Sequence, residues 1–165
     1  MDLIIDGYNV IGNQNGLQGT LELRRNWLLQ QLSRYQKLKK FNLIVVFDGW
    51  RSGKPMETSA KQEGLSIVYS RLGEKADSVI VRIAREKGGG ATVVTSDREI
   101  RNAVERFGAV AVYAGEFNAI LRCLDAGQND DEIREDEVGQ NRSGNPNRLS
   151  KSERNRLARL KKLRI

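Results

Sequence analysis

The chain has 165 residues and a net charge of +7, with 39% hydrophobic and 30% charged residues, a composition that suits one soluble domain with a short appendage. It contains no histidine and one cysteine, Cys123, which excludes Ser–His and Cys–His catalytic groups, most zinc sites and an internal disulfide framework. One cysteine fits a reducing compartment, and no stretch reaches the apolar length of a membrane span, so we expect a cytoplasmic protein without membrane contact.

Short apolar runs alternate with helical patterns along the first 125 residues. The runs predict strands over residues 3–6, 43–48, 65–69, 91–95 and 109–113. The periodic segments predict helices over residues 20–40, from 77 to the glycines at 88–90, from 97 onward and over 116–124. Because runs rich in Ile and Val indicate strands buried on both faces, the expected fold class is α/β, with three α/β/α layers around a mainly parallel sheet.

Several local features are predicted within this pattern. Residues 7–9 are expected to begin a turn and residues 49–61 to form a polar loop. Ser96 to Glu99 form a capping-box pattern that would open a helix. Five apolar side chains of the long helix are expected to cover the sheet: Leu21, Leu28, Leu32, Tyr35 and Leu38.

The composition changes after residue 125. Residues 126–147 are first acidic and then rich in Gly and Asn, which predicts a linker. Residues 148–165 follow as a basic helix opened by a second capping-box pattern, Ser150 to Glu153. Residues 142–165 hold nine Lys or Arg against one acid, whereas the first 141 residues hold 19 bases and 20 acids. Such a basic segment is typical of nucleic-acid binding, with a solubilising extension as the alternative.

Four aspartates stand at the ends of these elements. Asp6, Asp48 and Asp97 each close an apolar run, and Asp77 lies where a helix begins. Each has an ordinary alternative role as a turn or capping residue. In an open α/β sheet, however, the ligand crevice lies outside the carboxyl ends of the strands, so together they predict one acidic pocket.

Several like charges in one pocket are costly unless a cation compensates them. A divalent ion held by carboxylate oxygens, Mg²⁺ or Mn²⁺, is the simplest compensation, and a water activated by such an ion can attack a phosphodiester. Glu74 and Asn9 are close enough in sequence to join the site. Their alternative roles are a surface loop residue and a turn residue.

Two groups of side chains are candidates for RNA contacts. The loop after Asp48 offers an aromatic side chain and two cations, which suit base stacking and phosphate binding, although the aromatic side chain could equally pack on the domain: Trp50, Arg51 and Lys54. The basic segment offers seven further cations: Arg148, Lys151, Arg154, Arg156, Arg159, Lys161 and Lys162.

Four segments resemble motifs of the YacP-like branch of the NYN domain family, which belongs to the wider PIN-like nuclease fold. They are Ile5-Asp6-Gly7-Tyr8-Asn9-Val10-Ile11, Val45-Val46-Phe47-Asp48, Gly73-Glu74-Lys75-Ala76-Asp77-Ser78 and Val94-Thr95-Ser96-Asp97. The resemblance covers residues 1 to about 125 in family order, and the basic segment after residue 144 also looks like the family's tail.

This resemblance implies a metal-dependent endoribonuclease domain over residues 1–125 that hydrolyses RNA phosphodiester bonds. It implies Asp6, Asp77 and Asp97 as catalytic and metal-binding acids, with Mg²⁺ or Mn²⁺ as cofactor. The supporting residues would be Asn9, Asp48, Glu74 and Ser96. The implied partners are mRNA and the ribosome. The alternative is a non-catalytic RNA- or ribosome-binding module, in which the acids hold a structural ion or merely end strands.

Overall fold

The computed structural model describes residues 1–12, 19–49, 56–126 and 149–165. Within these residues, six strands form one sheet: β1 (Asp2–Asp6), β2 (Asn42–Phe47), β3 (Thr58–Gln62), β4 (Leu65–Tyr69), β5 (Ala91–Val94) and β6 (Val110–Val112). The same residues form six α-helices: α1 (Gly7–Gly12), α2 (Leu21–Lys39), α3 (Ala76–Lys87), α4 (Arg98–Glu105), α5 (Ala114–Ala126) and α6 (Lys151–Leu163). No helix in the described ranges is long and apolar enough to cross a bilayer.

The strands lie in the order β3-β4-β2-β1-β5-β6, and all pairs are parallel except β3 with β4. The chain builds outward from β1 through β2 to β4 and then returns to the other side of β1 to form β5 and β6. The strand order therefore reverses between β1 and β5. In open α/β sheets a ligand crevice lies outside the carboxyl ends of the strands at this position.

Helices cover both faces of the sheet, which confirms the predicted α/β/α layers. One layer contains α1, α2, α5 and α6, whose apolar side chains share a core with Leu3, Ile5 and Val45. The other layer contains α3 and α4, which pack on Ile4, Val46 and the remaining inward residues of the sheet. Alternate residues of β1 thus face opposite layers, as the two-residue period of a strand requires.

Two elements differ from the prediction. Residues 7–12 form the short helix α1 instead of a turn, because Val10 and Ile11 are buried in the core and packing outweighs the weak tendency of six residues to form a helix. The predicted loop over 49–61 contains β3 at its end. The β3 segment is mostly exposed and polar, and it is an edge strand that pairs only with β4 within the described sheet.

Two finer predictions were also wrong. Leu38 was expected to cover the sheet, but its side chain is 58% exposed, while Leu28, Leu32 and Tyr35 are buried. The N-cap of α4 is Asp97 and not Ser96, because the Asp97 carboxylate accepts the free backbone N–H groups at the start of the helix.

Helix α6 packs into the same core as α2 and α5. Leu160 and Leu163 are buried there, and the Tyr35 hydroxyl donates to the carbonyl of Leu163 at 2.7 Å. Burial raises the pKa of Tyr35, so this hydroxyl stays a donor at all physiological pH values. The Ser150–Glu153 capping box is confirmed at the start of the helix. A basic helix that would be marginal alone is therefore stabilised by tertiary packing.

Candidate active site

Asp6 ends β1 at the point where the strand order reverses, and its side chain is 8% exposed. The turn into α1 brings the Asn9 backbone N–H to one carboxylate oxygen, at 3.2 Å. The Thr95 hydroxyl donates to the other oxygen at 2.9 Å from the end of β5. Both oxygens of Asp6 thus have a fixed hydrogen-bond donor, one from each side of the crevice.

Asp97 is positioned by its role as the N-cap of α4. Its carboxylate accepts from the backbone N–H groups of Glu99 and Ile100, at 2.7 and 3.2 Å. Its own backbone N–H donates to the Thr95 hydroxyl at 3.1 Å, so this one hydroxyl connects Asp97 with Asp6. The capping role and a functional role are compatible, because a carboxylate keeps free lone pairs after accepting two bonds.

Asn9 and Ser96 close the crevice between β1 and β5. The Ser96 backbone N–H donates to the side-chain oxygen of Asn9 at 2.9 Å, and the Ser96 hydroxyl accepts from Ala114 N–H at 3.2 Å. Asn9 and Ser96, two of the predicted supporting residues, therefore tie together the starts of α1, α4 and α5. They hold this part of the site in place without contributing charge.

Asp48 and Asp77 flank this centre from the neighbouring elements. Asp48 follows β2 and accepts from the Ser70 hydroxyl at 3.2 Å. Gly49 next to it donates its N–H to the same hydroxyl at 2.9 Å, and a Cβ at Gly49 would lie 1.8 Å from the Ser70 carbonyl oxygen. Only glycine permits this close approach. Asp77 is exposed in the first turn of α3, while Glu74 forms an ion pair with Arg71 at 3.2 Å.

The carboxylates act on each other electrostatically. Burial raises the pKa of Asp6 to about 6, its two hydrogen bonds oppose that rise, and the negative charges of Asp77 and Asp97 add to it. Asp77 is exposed to solvent on one side, and its partial burial, together with Asp97 and Asp48, raises its pKa, while Lys75 opposes the rise. Within the described part of the chain, none of the four aspartates forms an ion pair with Lys or Arg. Asp6 is therefore influenced by the charges of Asp77 and Asp97, and Asp77 by those of Asp97 and Asp48, so the four carboxylates share one electrostatic environment.

The donor chemistry of this centre fits a hard divalent cation. Among residues 1–12, 19–49, 56–126 and 149–165, no three carboxylate or thiol groups lie close enough together to enclose an ion by themselves. Mg²⁺ rarely needs such a cage, since it keeps several waters and is usually held by one or two carboxylates. Asp6, Asp77 and Asp97 are the residues that could hold it, partly through water.

The predicted RNA-binding residues fall into three groups. Trp50, Arg51, Lys54 and Arg148 lie outside the described residues. Arg156 forms an ion pair with Glu116, and Arg159 donates to the Gly89 carbonyl at 2.8 Å, so both fasten α6 to the domain. Of the predicted residues on α6, four remain exposed: Lys151, Arg154, Lys161 and Lys162.

Two hydroxyl groups of the site, those of Thr95 and Ser70, were not predicted from the sequence. Thr95 is fully buried and connects Asp6 with Asp97, and Ser70 holds Asp48 and Gly49. Their position could have indicated this role, because each hydroxyl lies just after the end of an apolar strand. A polar side chain that is buried in such a place needs a hydrogen-bond partner.

A parallel α/β/α sheet with acidic side chains at the carboxyl ends of its strands defines the class of this protein as a PIN-like domain. The match to a family model then places it: over residues 3–162 the chain belongs to the YacP-like NYN domain family, a nuclease-type domain related to PIN. The match extends beyond the first 125 residues and includes most of α6.

Three proteins or structures illustrate the similarity. The uncharacterized protein YacP of Bacillus subtilis (strain 168) is 31% identical over 122 residues, which cover 70% of this chain and 71% of that protein. The crystal structure of Rae1 (YacP) from Bacillus subtilis has a TM-score of 0.64 and 26% identity, with 77% of this chain and 76% of that one covered. A mutant of Rae1 gives the same TM-score at 25% identity, with 76% and 77% covered.

Proposed function

We propose that this protein is a divalent-metal-dependent endoribonuclease that hydrolyses RNA phosphodiester bonds, acting on mRNA in a ribosome-linked context. The observation that carries the proposal is the buried Asp6 carboxylate at the point where the strand order reverses. The negative charges of Asp77 and Asp97 act on it, and it has no cationic partner in the described residues. Membership of a nuclease-type family supports the same reading.

The chain's own residues supply a rigid frame for this chemistry. Thr95 and Asn9 orient both oxygens of Asp6, and two backbone N–H groups orient Asp97. Such fixed donors reduce the reorganisation that a reaction would otherwise require. Asp77, at the exposed edge of the site, would help to hold a divalent cation. Bound Mg²⁺ or Mn²⁺ would supply charge neutralisation at the phosphate and lower the pKa of a water molecule.

The exposed cations of α6 would contribute RNA affinity. Lys151, Arg154, Lys161 and Lys162 are free of the contacts that fasten Arg156 and Arg159. Cations that neutralise phosphates release counterions, so affinity should fall steeply as salt is raised. Ribosomal RNA is an anionic surface of the same kind and would be bound by the same cations.

The decisive experiment compares cleavage of a labelled structured RNA by three proteins, each with Mg²⁺ and with EDTA. Wild type should cut only with the metal, and Asp6→Asn should lose cleavage but retain its fold. The matched control is Asp2→Asn, which changes a carboxylate at the opposite end of the same strand. Equal cleavage by Asp6→Asn and wild type would show that the assigned centre is wrong.

A non-catalytic RNA- or ribosome-binding module is the second candidate. The observation in its favour is that the described residues contain no ready-made group of three metal ligands. Removing the basic segment is an unsuitable test, because Leu160 and Leu163 belong to the core. Replacing Lys161 and Lys162 by Gln isolates the charge instead. If the Asp6→Asn variant still binds RNA or the ribosome and still performs its role, and the Lys161→Gln/Lys162→Gln variant does not, the protein is better described as a binding module.

A further inference from the structure

A groove of about 570 Å³ runs between α3 and α4, on the surface of the helical layer that these two helices form. One end is bordered by Asp77, so the groove opens directly beside the candidate catalytic centre. Its volume lies within the range of about 300–1,000 Å³ that sites for small ligands occupy. A groove of this size next to a reactive centre is a candidate for the part of the substrate that flanks the reacting bond.

The groove changes character along its length. Asp77 and Glu99 make its near end acidic, and Arg85 lies at the far end. Asp77 and Arg85 are eight residues apart on α3, which is about 12 Å along the helix axis. Between them the wall has an apolar part, formed by Val81, Ile100, Ala103 and Phe107, and two polar side chains of α3, Ser78 and Arg82.

Phe107 and Arg85 form the distinctive feature of the groove. The Phe107 ring is 37% exposed, and the Arg85 guanidinium carbon lies 5.6 Å from its centre. Arg85 has no carboxylate partner among the described residues, whereas its neighbour Arg82 is paired with Glu57. The far end of the groove therefore offers an exposed aromatic side chain together with an uncompensated positive charge.

We infer that this groove binds a nucleotide of single-stranded RNA adjacent to the phosphate that is cut. The base would lie against Phe107 and the apolar wall, and Arg85 would hold a neighbouring phosphate. This inference rests on the proposed function, which supplies the reacting phosphate beside Asp77.

The composition of the groove favours single-stranded RNA over other occupants. Aromatic side chains combined with arginines are how proteins hold single strands without reading their sequence, because every base has a stacking face. A base paired in a duplex keeps both faces stacked on its neighbours and has none to offer Phe107. A purely apolar peptide would leave Arg85 desolvated without a partner, which is costly.

The test measures binding separately from cleavage. Fluorescence anisotropy of a short labelled single-stranded RNA, in EDTA, gives the Kd of wild type, Phe107→Leu, Phe107→Trp, Arg85→Gln and the control Arg122→Gln. Arg122 is an exposed residue of α5, in the opposite layer, and its replacement removes the same charge. Thermal denaturation of each variant establishes that the fold is retained.

Phe107→Leu should weaken binding about 5- to 160-fold, the range found when one stacked base loses its aromatic partner. Phe107→Trp should preserve binding, because Trp keeps an aromatic face for the base. If Phe107 only packed the fold, an aromatic face would not be needed for binding. Arg85→Gln should lower the slope of log K against log salt by about 0.7, as expected for one phosphate contact of a single strand. Arg122→Gln should change neither quantity.

The outcomes separate this inference from the proposed function. If wild type cleaves RNA while Phe107→Leu and Arg85→Gln keep its Kd and KM, the groove assignment is overturned and the nuclease remains. If wild type binds through the groove but does not cleave with Mg²⁺, the groove stands and the nuclease proposal falls. Failure of wild type to bind single-stranded RNA, or failure of Phe107→Trp to rescue binding, also overturns the groove assignment.

Discussion

Asp6→Asn is expected to stabilise the metal-free protein at neutral pH. The pKa of Asp6 in the folded chain is about 6, against an ordinary value of 3.8. Between about pH 4 and pH 6, Asp6 is protonated in the folded chain but has released this proton in the unfolded chain. The stability that the protonated Asp6 provides is therefore fully present below about pH 4 and is lost as the pH rises through 6. A difference of about 2 pKa units between the folded and unfolded chain lowers the free energy of unfolding above pH 6 by about 3 kcal/mol.

Asparagine at this position removes the charge and keeps the shape. Its side-chain oxygen can accept from the Asn9 N–H, and its amide can donate to the Thr95 hydroxyl. We expect the variant to gain about 1–3 kcal/mol at pH 7, or about 2–4 °C of melting temperature for each kcal/mol. A gain in stability with a loss of activity is typical of a residue kept for function.

The assay is urea denaturation in EDTA at pH 4 to 8 for wild type, Asp6→Asn and the control Asp2→Asn. The difference between wild type and Asp6→Asn should be small at pH 4, grow up to about pH 6 and then level off. Added Mg²⁺ should narrow it by stabilising wild type alone, since a ligand stabilises the state that binds it. A destabilised Asp6→Asn with a pH-independent deficit would refute the reasoning.

Three further predictions concern residues around this centre. Thr95→Val removes the hydroxyl that donates to Asp6, so the pKa of Asp6 should rise further in a carbon-detected NMR titration and unfolding should cost about 1–3 kcal/mol less. Leu163→Ala should destabilise the protein by about 2–5 kcal/mol in chemical denaturation, because the side chain is fully buried. Lys161→Gln with Lys162→Gln should leave stability within about 0.5 kcal/mol of wild type and lower the salt slope of RNA binding by about 1.4, and an unchanged slope would remove α6 from the RNA-binding surface.

The parallel strands and the acidic centre were predictable because each rests on a local pattern with one structural outcome. Continuous runs such as 43–47 are too apolar for a half-exposed strand, and strands that run in the same direction bring Asp6 and Asp97 to the same edge. Helix α1 and strand β3 were missed for the opposite reason. Their sequences have no decisive period, and the structure forms them through contacts with distant residues.

The details of the site depended on packing that sequence does not show. Nothing in residues 93–97 distinguishes the Thr95 hydroxyl, which connects two aspartates, from the hydroxyl of Ser96, which accepts from α5. The Leu stripe of α6 was visible, but the choice of core side chains was not. Leu157 remains 45% exposed while Leu160 and Leu163 are buried, because the facing surface comes mainly from β6 and α5.

The position of α6 has a consequence for how the chain folds. The bond between Tyr35 and Leu163 joins residues 128 positions apart, and the core around β1 is incomplete until Leu163 has been synthesised. Contacts so distant in sequence slow folding, since a long loop must close before they form. During translation, the core around β1 would therefore stay open until synthesis has passed residue 163, and the half-formed domain would expose apolar surface for that whole interval.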